Sequence, residues 1–200
     1  MQVLVETDRL ILRRFTADDA QHLFDLDNDP EVMRYLNGGI PTPRDVVESE
    51  MLPRFLRYDE ESPGIGFWAA IERSTMDFLG WFSLRRADPG SSTATLGYRL
   101  RRATWGRGYA TEGARALVRI ALLDLGVARV TATTYQDNLA SRRVMEKLGM
   151  KRVRRFHYTV DDLANVDTYH VGAPQLWDGD DLEYALERDD WERQGAQRRL

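Results

Sequence analysis

The chain of 200 residues contains no cysteine and only three histidines. The absence of cysteine excludes disulfides, thiolate-bound zinc, iron–sulfur clusters and a cysteine nucleophile. It also suits a reducing cytoplasm, which is the location we expect. The histidines and the scattered acidic residues show no metal-ligand spacing, so we expect no metal.

Long apolar runs are also missing. No stretch approaches the ~20 apolar residues of a membrane span. Glu6, Asp8 and Arg9 interrupt the beginning of the chain with charge, unlike a signal peptide. Hydrophobic residues make up 42% and charged residues 30% of the chain, which is typical of a soluble globular protein with no membrane partner. The length predicts one domain over residues 1–200.

Positive charge is concentrated in two segments of an acidic chain. The net charge is −4, yet residues 101–119 carry five arginines against Glu112, and residues 138–157 carry seven basic residues against Glu146. A locally basic region indicates an anionic ligand. Nucleic-acid binders spread basic charge more widely, so we do not expect nucleic acid as a partner. A solvated helix face is the alternative explanation of the charge.

Hydrophobic periodicity predicts strands and helices in a mixed order. The predicted strands are 9–15, 67–71, 78–84, 93–100, 128–135, 150–158 and 182–186. Helices are predicted after Thr16, at 30–36, after Pro43, and at 110–125 and 138–148. Hairpins early in the chain and a β-α-β-α-β segment late predict an α/β protein with a mixed sheet, not a doubly wound one.

Two segments near the end of the chain follow less regular patterns. Residues 159–181 form an extended acidic loop before the last predicted strand, and residues 192–200 form a tail. The acidic loop either attracts a cationic amine or serves only to keep the chain soluble.

A glycine-containing turn lies between the fourth predicted strand and the longest helix. Gly106 and Gly108 are separated by one residue, which lets the backbone approach a ligand closely. The helix that follows offers unpaired N–H groups to an anion. Ala114-Arg115 stands where a P-loop needs Lys-Ser/Thr, and Thr111 stands where a dinucleotide fingerprint needs Gly or Ala. The turn is therefore an anion site of another kind, or a plain tight turn.

Several motifs in a fixed order carry a family resemblance. They are the opening segment 6–13, the strand segment 96–100, the loop 105–112, the segment 138–150 with its Asn-x-x-Ser and Glu-Lys-Leu-Gly, and the final strand and tryptophan within 182–191. Together they resemble the GNAT acyl-CoA N-acyltransferases, in particular the RimJ/RimL-type branch.

The resemblance implies a fold and a co-substrate. The fold is a GNAT fold, with a mostly antiparallel central sheet, splayed fourth and fifth strands, and flanking helices. The co-substrate is acetyl-CoA, with the pyrophosphate on the backbone of the loop and the pantetheine pairing with the strand end like an added β-strand. The residues that the resemblance assigns to acetyl-CoA are Leu100, Arg102, Gly106, Arg107, Gly108, Tyr109, Ala110, Thr111, Asn138 and Ser141.

Some of these assignments have structural alternatives. The Arg107 side chain faces either the phosphates or solvent. Asn138 contacts the pantetheine or phosphate arm, caps the next helix, or does both. Arg142 and Arg143 reach the 3′-phosphate or form a solvated helix face.

The resemblance also implies direct attack of an amine on the acetyl thioester. Met145 stands where many GNAT enzymes place a tyrosine acid, so Ser141 is the expected catalytic residue, as proton donor to the leaving thiolate; a first-turn helix serine without chemistry is the alternative. The general base is not identified. Glu112 is better explained by its place in a first helical turn, and the candidates for a water chain are Tyr98, Tyr135, His157 and His170.

The expected function is acetyl-CoA-dependent transfer of an acetyl group to a primary amine, on a protein N-terminus or a small molecule. The alternatives are a non-catalytic acyl-CoA-binding sensor and an RNA- or ribosome-binding protein. Dimers are common in the family, so a homodimer is one expected assembly.

Overall fold

The computed structural model describes residues 2–61, 64–86, 90–158 and 179–197. One sheet runs through these residues in the strand order β1-β2-β3-β4-β5-β6-β8-β7. The strands are β1 (Val3–Glu6), β2 (Leu10–Arg14), β3 (Gly66–Glu72), β4 (Phe78–Arg86), β5 (Thr93–Leu100), β6 (Arg129–Tyr135), β7 (Lys151–Phe156) and β8 (Asp181–Glu187).

Helices cover both faces of the sheet. They are α1 (Ala20–Asp27), α2 (Pro30–Asn37), α3 (Arg44–Val46), α4 (Leu52–Glu61), α5 (Tyr109–Arg119), α6 (Leu139–Lys147) and α7 (Arg188–Gln197). Short 3-10 turns cover Ala17–Asp19 and Arg102–Thr104, and π-helical segments Val47–Met51 and Ile120–Asp124 continue α3 and α5. Within the described ranges, no helix has the length and apolar character needed to cross a membrane.

The sheet is antiparallel except where β5 meets β6. These two strands are parallel, and their register holds only three residue pairs, Thr93–Thr95 with Arg129–Thr131. Toward Leu100 and Tyr135 the strands no longer pair, and a gap opens between them. The predicted splay of the fourth and fifth strands, 93–100 and 128–135, is confirmed, as is the mixed α/β sheet.

Two hydrophobic clusters lie on opposite faces of the sheet. One packs α5 and α6 against residues such as Phe82 and Leu96. The other packs α1, α2, α4 and the π-helical segment Val47–Met51 against Trp81 and Phe67. The approach of α5 is very close, because a Cβ on Gly113 would lie 2.4 Å from the Phe82 ring. Because successive side chains of a strand point to opposite faces of the sheet, each face packs against its own set of helices.

Two elements were missed by the sequence analysis. β1 is short and pairs with β2 at the sheet edge, where its exposed ends leave little hydrophobic pattern. α7 is largely polar, and part of the segment expected to be a tail, 192–197, belongs to it. The extended acidic loop was expected at 159–181. Residues 159–178 of it lie outside the described residues, and β8 begins at Asp181.

A buried ion pair ties α1 to the end of β5. The Arg99 guanidinium hydrogen-bonds the Asp27 carboxylate, and the two side chains are 4% and 1% exposed. Arg99 also stacks on Trp81, 5.2 Å from the ring centroid. Among the described residues, Asp27 Oδ1 and Arg99 Nε have no hydrogen-bond partner. The pair is thus incompletely satisfied, directly beside the open part of the sheet.

Removal of one partner of this pair should be costly. Asp27→Ala leaves the Arg99 charge buried, so we expect the free energy of unfolding to fall by about 3–5 kcal/mol in urea titrations. The double variant Asp27→Leu/Arg99→Met removes both charges and should recover most of that loss. A double variant as unstable as Asp27→Ala would show that the buried charge is not the cause.

Candidate functional site

Within the described ranges, the edge of β5 that faces the gap has no strand paired to it beyond Thr95. Arg101 N–H donates to Leu79 O of β4 at 2.8 Å. Because alternate residues of a strand point their backbone groups to opposite edges, the N–H groups of Leu100 and Tyr98 face the gap. The Trp105 indole donates to the Leu100 carbonyl at 2.8 Å, which leaves the Leu100 N–H as the available group of that residue.

The loop that follows β5 leads through two glycines into the first turn of α5. Gly106 and Gly108 have φ of 74° and 86°, the left-handed region that favours glycine. Gly108 is the N-cap of α5, and Glu112 N–H donates to Gly108 O at 3.1 Å. Among the described residues, nothing accepts from the N–H groups of residues 109–111, the first turn of the helix. A helix N-terminus of this kind can bind phosphate.

Charged and aromatic side chains pack against the loop and the first turn of α5. Glu112 accepts hydrogen bonds from Thr7 Oγ1 at 2.6 Å and from Arg9 Nε at 2.7 Å. Burial alone would raise the pKa of Glu112, but these hydrogen bonds outweigh it and lower the pKa below its usual value. The structural explanation of Glu112 is therefore supported, since its carboxylate is already engaged. The Arg107 guanidinium lies 3.6 Å from Glu72 and 5.0 Å from the Tyr109 ring centroid, so its side chain packs on the loop.

Ser141 and Tyr98 meet across the gap. Ser141 lies in the first turn of α6, and its Oγ is 2.9 Å from the Tyr98 hydroxyl on β5. Burial raises the pKa of Tyr98 to about 12, although the hydrogen bond with Ser141 lowers it. Tyr98 is therefore protonated at neutral pH. Asn138 Oδ1 accepts from Ser141 N–H at 3.1 Å, which makes Asn138 the N-cap of α6.

Two arginines of α6 differ in their surroundings. Arg142 Nη1 donates to Gln136 O at 3.0 Å, and Arg142 Nε donates to the Tyr184 hydroxyl at 3.4 Å, so Arg142 holds α6 against the sheet. Arg143 is exposed, as is Arg102 in the loop. The position expected for a tyrosine acid, Met145, is 2% exposed and belongs to the core.

The opposite face of the gap contains aromatic and acidic groups. The Tyr35 ring of α2 stacks on Tyr135 of β6 at 5.9 Å between centroids. Asp181 pairs with Tyr135 in the sheet and shares its face, opposite the cluster that contains Leu182. Burial raises the pKa of Asp181 to about 6, with His157 lowering it and Asp180 raising it.

Most of the expected binding residues lie near the open end of the strand pair β5 and β6, whereas the water-chain candidates are spread more widely. Leu100 and the loop 106–111 lie at and after the unpaired end of β5, and Asn138 and Ser141 follow the unpaired end of β6. The hydrogen bond between Tyr98 and Ser141 joins the two sides. Of the water-chain candidates, His157 instead contacts Gly179 at the end of β7, with Nδ1 2.8 Å from the carbonyl, and His170 lies outside the described residues. Tyr98 stood out in the sequence only as a water-chain candidate, because its partner Ser141 is 43 residues away in the chain.

Comparison with known proteins places this geometry in a family. The acetyltransferase (GNAT) domain matches residues 9–151. The chain is 30% identical, over 200 aligned residues covering 96% of it and 79% of the relative, to FsC-acetyl coenzyme A-N(2)-transacetylase of Aspergillus fumigatus. It is 28% identical to the uncharacterized N-acetyltransferase YoaA of Bacillus subtilis, covering 86% of this chain and 98% of YoaA.

Solved structures agree at the level of the fold. A RimL, a ribosomal L7/L12 alpha-N-protein acetyltransferase in complex with coenzyme A, superposes with a TM-score of 0.74 at 16% identity, covering 94% of this chain and 99% of that one. With the domain match extending over 143 residues from strand β2 to β7 and the sheet opened between β5 and β6, the chain belongs to the GNAT acetyltransferase family.

Proposed function

We propose that this acetyltransferase transfers the acetyl group of acetyl-CoA directly to a primary amine, with Ser141 as the proton donor to the leaving sulfur. The observation that carries the proposal is the contact between Ser141 and Tyr98 across the gap, 2.9 Å between hydroxyl oxygens. The two hydroxyl groups lie beside the only parallel strand pair of the described sheet, which supports a role in proton transfer. A sensor without turnover would not need such a pair.

The loop and the gap have the properties that acetyl-CoA requires. The outward N–H groups of residues 109–111 and the positive end of α5 suit a pyrophosphate. The exposed Arg102 and the half-exposed Arg107 add positive charge beside it. The free edge of β5 suits the amides of a pantetheine arm, which would pair there as a strand does.

The reaction is an acyl transfer between sulfur and nitrogen. The neutral amine attacks the thioester carbonyl carbon, the C–N bond forms, and the C–S bond breaks. The Leu100 N–H, facing the gap, is suited to stabilise the developing oxyanion. Ser141 gives a proton to the leaving thiolate and regains one through the Tyr98 hydroxyl, which takes a proton from solvent in turn. The amine nitrogen, positively charged after the attack, loses its extra proton to solvent.

The acceptor approaches from the face opposite the loop. Tyr35, Tyr135 and Asp181 lie on that face, and among the described residues no hydrogen bond engages the Asp181 carboxylate. A carboxylate in this state suits a cationic ammonium group. The names of two relatives, an N(2)-transacetylase and an alpha-N-protein acetyltransferase, also denote transfer to amine nitrogens. A small-molecule amine and a protein N-terminus both remain acceptors of the proposed class.

Thiol release from acetyl-CoA, measured over a panel of amines and N-terminal peptides, tests the proposed role of Ser141. We expect acceptor-dependent release by the parent protein and a loss of about 100-fold or more in kcat for Ser141→Ala, because proton transfer by a positioned group contributes about that much. The dissociation constant for CoA should change little. Lys147→Ala, at the far end of α6, is the matched control and should retain activity.

CoA binding without release of thiol for any acceptor would contradict the enzyme proposal and favour the sensor. Equal kcat values for Ser141→Ala and the parent would contradict the assignment of Ser141.

Removal of the Tyr98 hydroxyl tests whether Ser141 acts with a partner. Tyr98→Phe keeps the ring packed 6.1 Å from Phe82 but loses the hydrogen bond to Ser141. We expect kcat to fall about tenfold, with no further loss when Tyr98→Phe is added to Ser141→Ala. Additive losses in the double variant would show that the two hydroxyls act separately.

The raised pKa of Asp181 predicts a pH-dependent stability. Folding raises the pKa from 3.8 to about 6, so the folded protein binds this proton more tightly than the unfolded chain. Stability therefore falls as pH rises from about 4 to 6, and the cost persists above that range. Asp181→Asn should raise the Tm at neutral pH and change it little near pH 4, while raising KM for the amine.

Asp180→Asn is the matched control, because Asp180 is the adjacent carboxylate but is engaged by Arg155 and His157. It should not raise the Tm. A Tm gain for Asp181→Asn that is the same at both pH values would contradict the titration of Asp181.

A further inference from the structure

The geometry points to a positioning role for Arg9. We propose that the N-terminal turn, through Arg9 and its ion pair with Glu112, holds the backbone of loop 106–108 in the orientation that binds the CoA pyrophosphate. The inference rests on the proposed function, since it concerns how the same co-substrate is bound. It adds to the CoA site a residue almost a hundred positions before the loop in the chain.

Glu112 is the anchor of this arrangement. Its Oε1 accepts from Thr7 Oγ1 at 2.6 Å and from Arg9 N–H at 2.9 Å. Its Oε2 accepts from Arg9 Nε at 2.7 Å and lies 2.6 Å from Arg9 Nη2. Both carboxylate oxygens are thus used on the turn between β1 and β2, and the first turn of α5 is fixed to the N-terminal edge of the sheet.

Arg9 uses its remaining arm on the loop itself. Nη1 donates to the Arg107 carbonyl at 2.9 Å, and the guanidinium lies 4.6 Å from the Tyr109 ring centroid. The peptide group that joins Arg107 to Gly108 is planar and trans, so its C=O and its N–H point in opposite directions. When Arg9 holds the Arg107 carbonyl inward, the N–H of Gly108 must point outward, toward the proposed anion.

The same ion pair also neutralises the negative charge of Glu112 near the proposed pyrophosphate position. Glu112 places a carboxylate in the first turn of α5, close to the proposed position of the pyrophosphate, where an unpaired negative charge would repel it. Arg9 compensates that charge through two nitrogens. Although burial raises the pKa of Glu112, its hydrogen bonds with Thr7 and Arg9 lower that pKa below its usual value, so the carboxylate is ionised at neutral pH. Loss of Arg9 would therefore free the carbonyl and expose the carboxylate together.

The test compares binding of whole and truncated co-substrate. For Arg9→Gln we expect the dissociation constant for CoA and the KM for acetyl-CoA to rise about 10- to 100-fold, the range that loss of positioning produces. With acetyl-pantetheine, which lacks the pyrophosphate, kcat/KM should stay near the parent value. Arg9→Lys should not restore CoA binding. The planar guanidinium contacts Glu112 and the Arg107 carbonyl at the same time, and a compact ammonium group cannot bridge both.

Arg73→Gln is the matched control. Arg73 donates to Thr7 O of the same turn at 2.8 Å and has the same 46% side-chain exposure as Arg9. Within the described part of the chain, its guanidinium contacts residues 6–8 and not the loop. It should bind CoA as the parent does.

Glu112→Gln provides a second variant that keeps the side-chain volume. Its loss of CoA affinity should not add to that of Arg9→Gln in the double variant, since the two residues act as one unit.

Three results would overturn the inference. They are equal CoA affinity of Arg9→Gln and Arg73→Gln, an equal loss with acetyl-pantetheine, and full restoration by Arg9→Lys. Failure of the parent protein to bind CoA would instead refute the proposed function, so the two failures are distinguishable. Thermal unfolding of each variant separates an altered loop from an unfolded chain.

Discussion

The arrangement of this molecule depends on one constraint in its sheet: β5 and β6 are parallel neighbours that pair over only three residues. A parallel pair needs a long crossover, and α5 supplies it on one face. Where the pairing ends, β5 keeps an edge of unused backbone groups inside the protein rather than at its rim. Leu100 N–H, the Tyr98 hydroxyl and Ser141 all owe their position to that opening.

The loop that we propose to bind the pyrophosphate depends on contacts from outside itself. Two left-handed glycines permit its shape, but permissive residues do not select one conformation. Selection comes from the N-terminal turn, where Arg9 reaches the Arg107 carbonyl and Glu112 holds Arg9. On the other face, the ion pair of Arg99 and Asp27 fixes the end of β5 to α1. Contacts on both faces of the sheet thus hold the end of β5 and the loop that follows it.

Much of the fold could be predicted from the sequence, because its patterns are local. The long alternating strands, the glycine turn before α5 and the N-cap Asn138 depend on neighbours within a few residues, and the structure has them at the predicted positions. β1 and α7 were missed because a short edge strand and a polar helix leave no strong hydrophobic period. Their positions depend on pairing and packing with distant segments.

By itself, the sequence determined the order of strands and helices, the glycines that allow a loop around an anion, and the motif serine at position 141. The tertiary structure decided which of these groups meet. It joined Ser141 to Tyr98, paired Glu112 with Arg9, and turned Arg142 toward the sheet. The physical reason is that a hydrogen bond acts over about 3 Å. Residues 43 or 103 positions apart in the chain reach that distance only when the sheet brings them together.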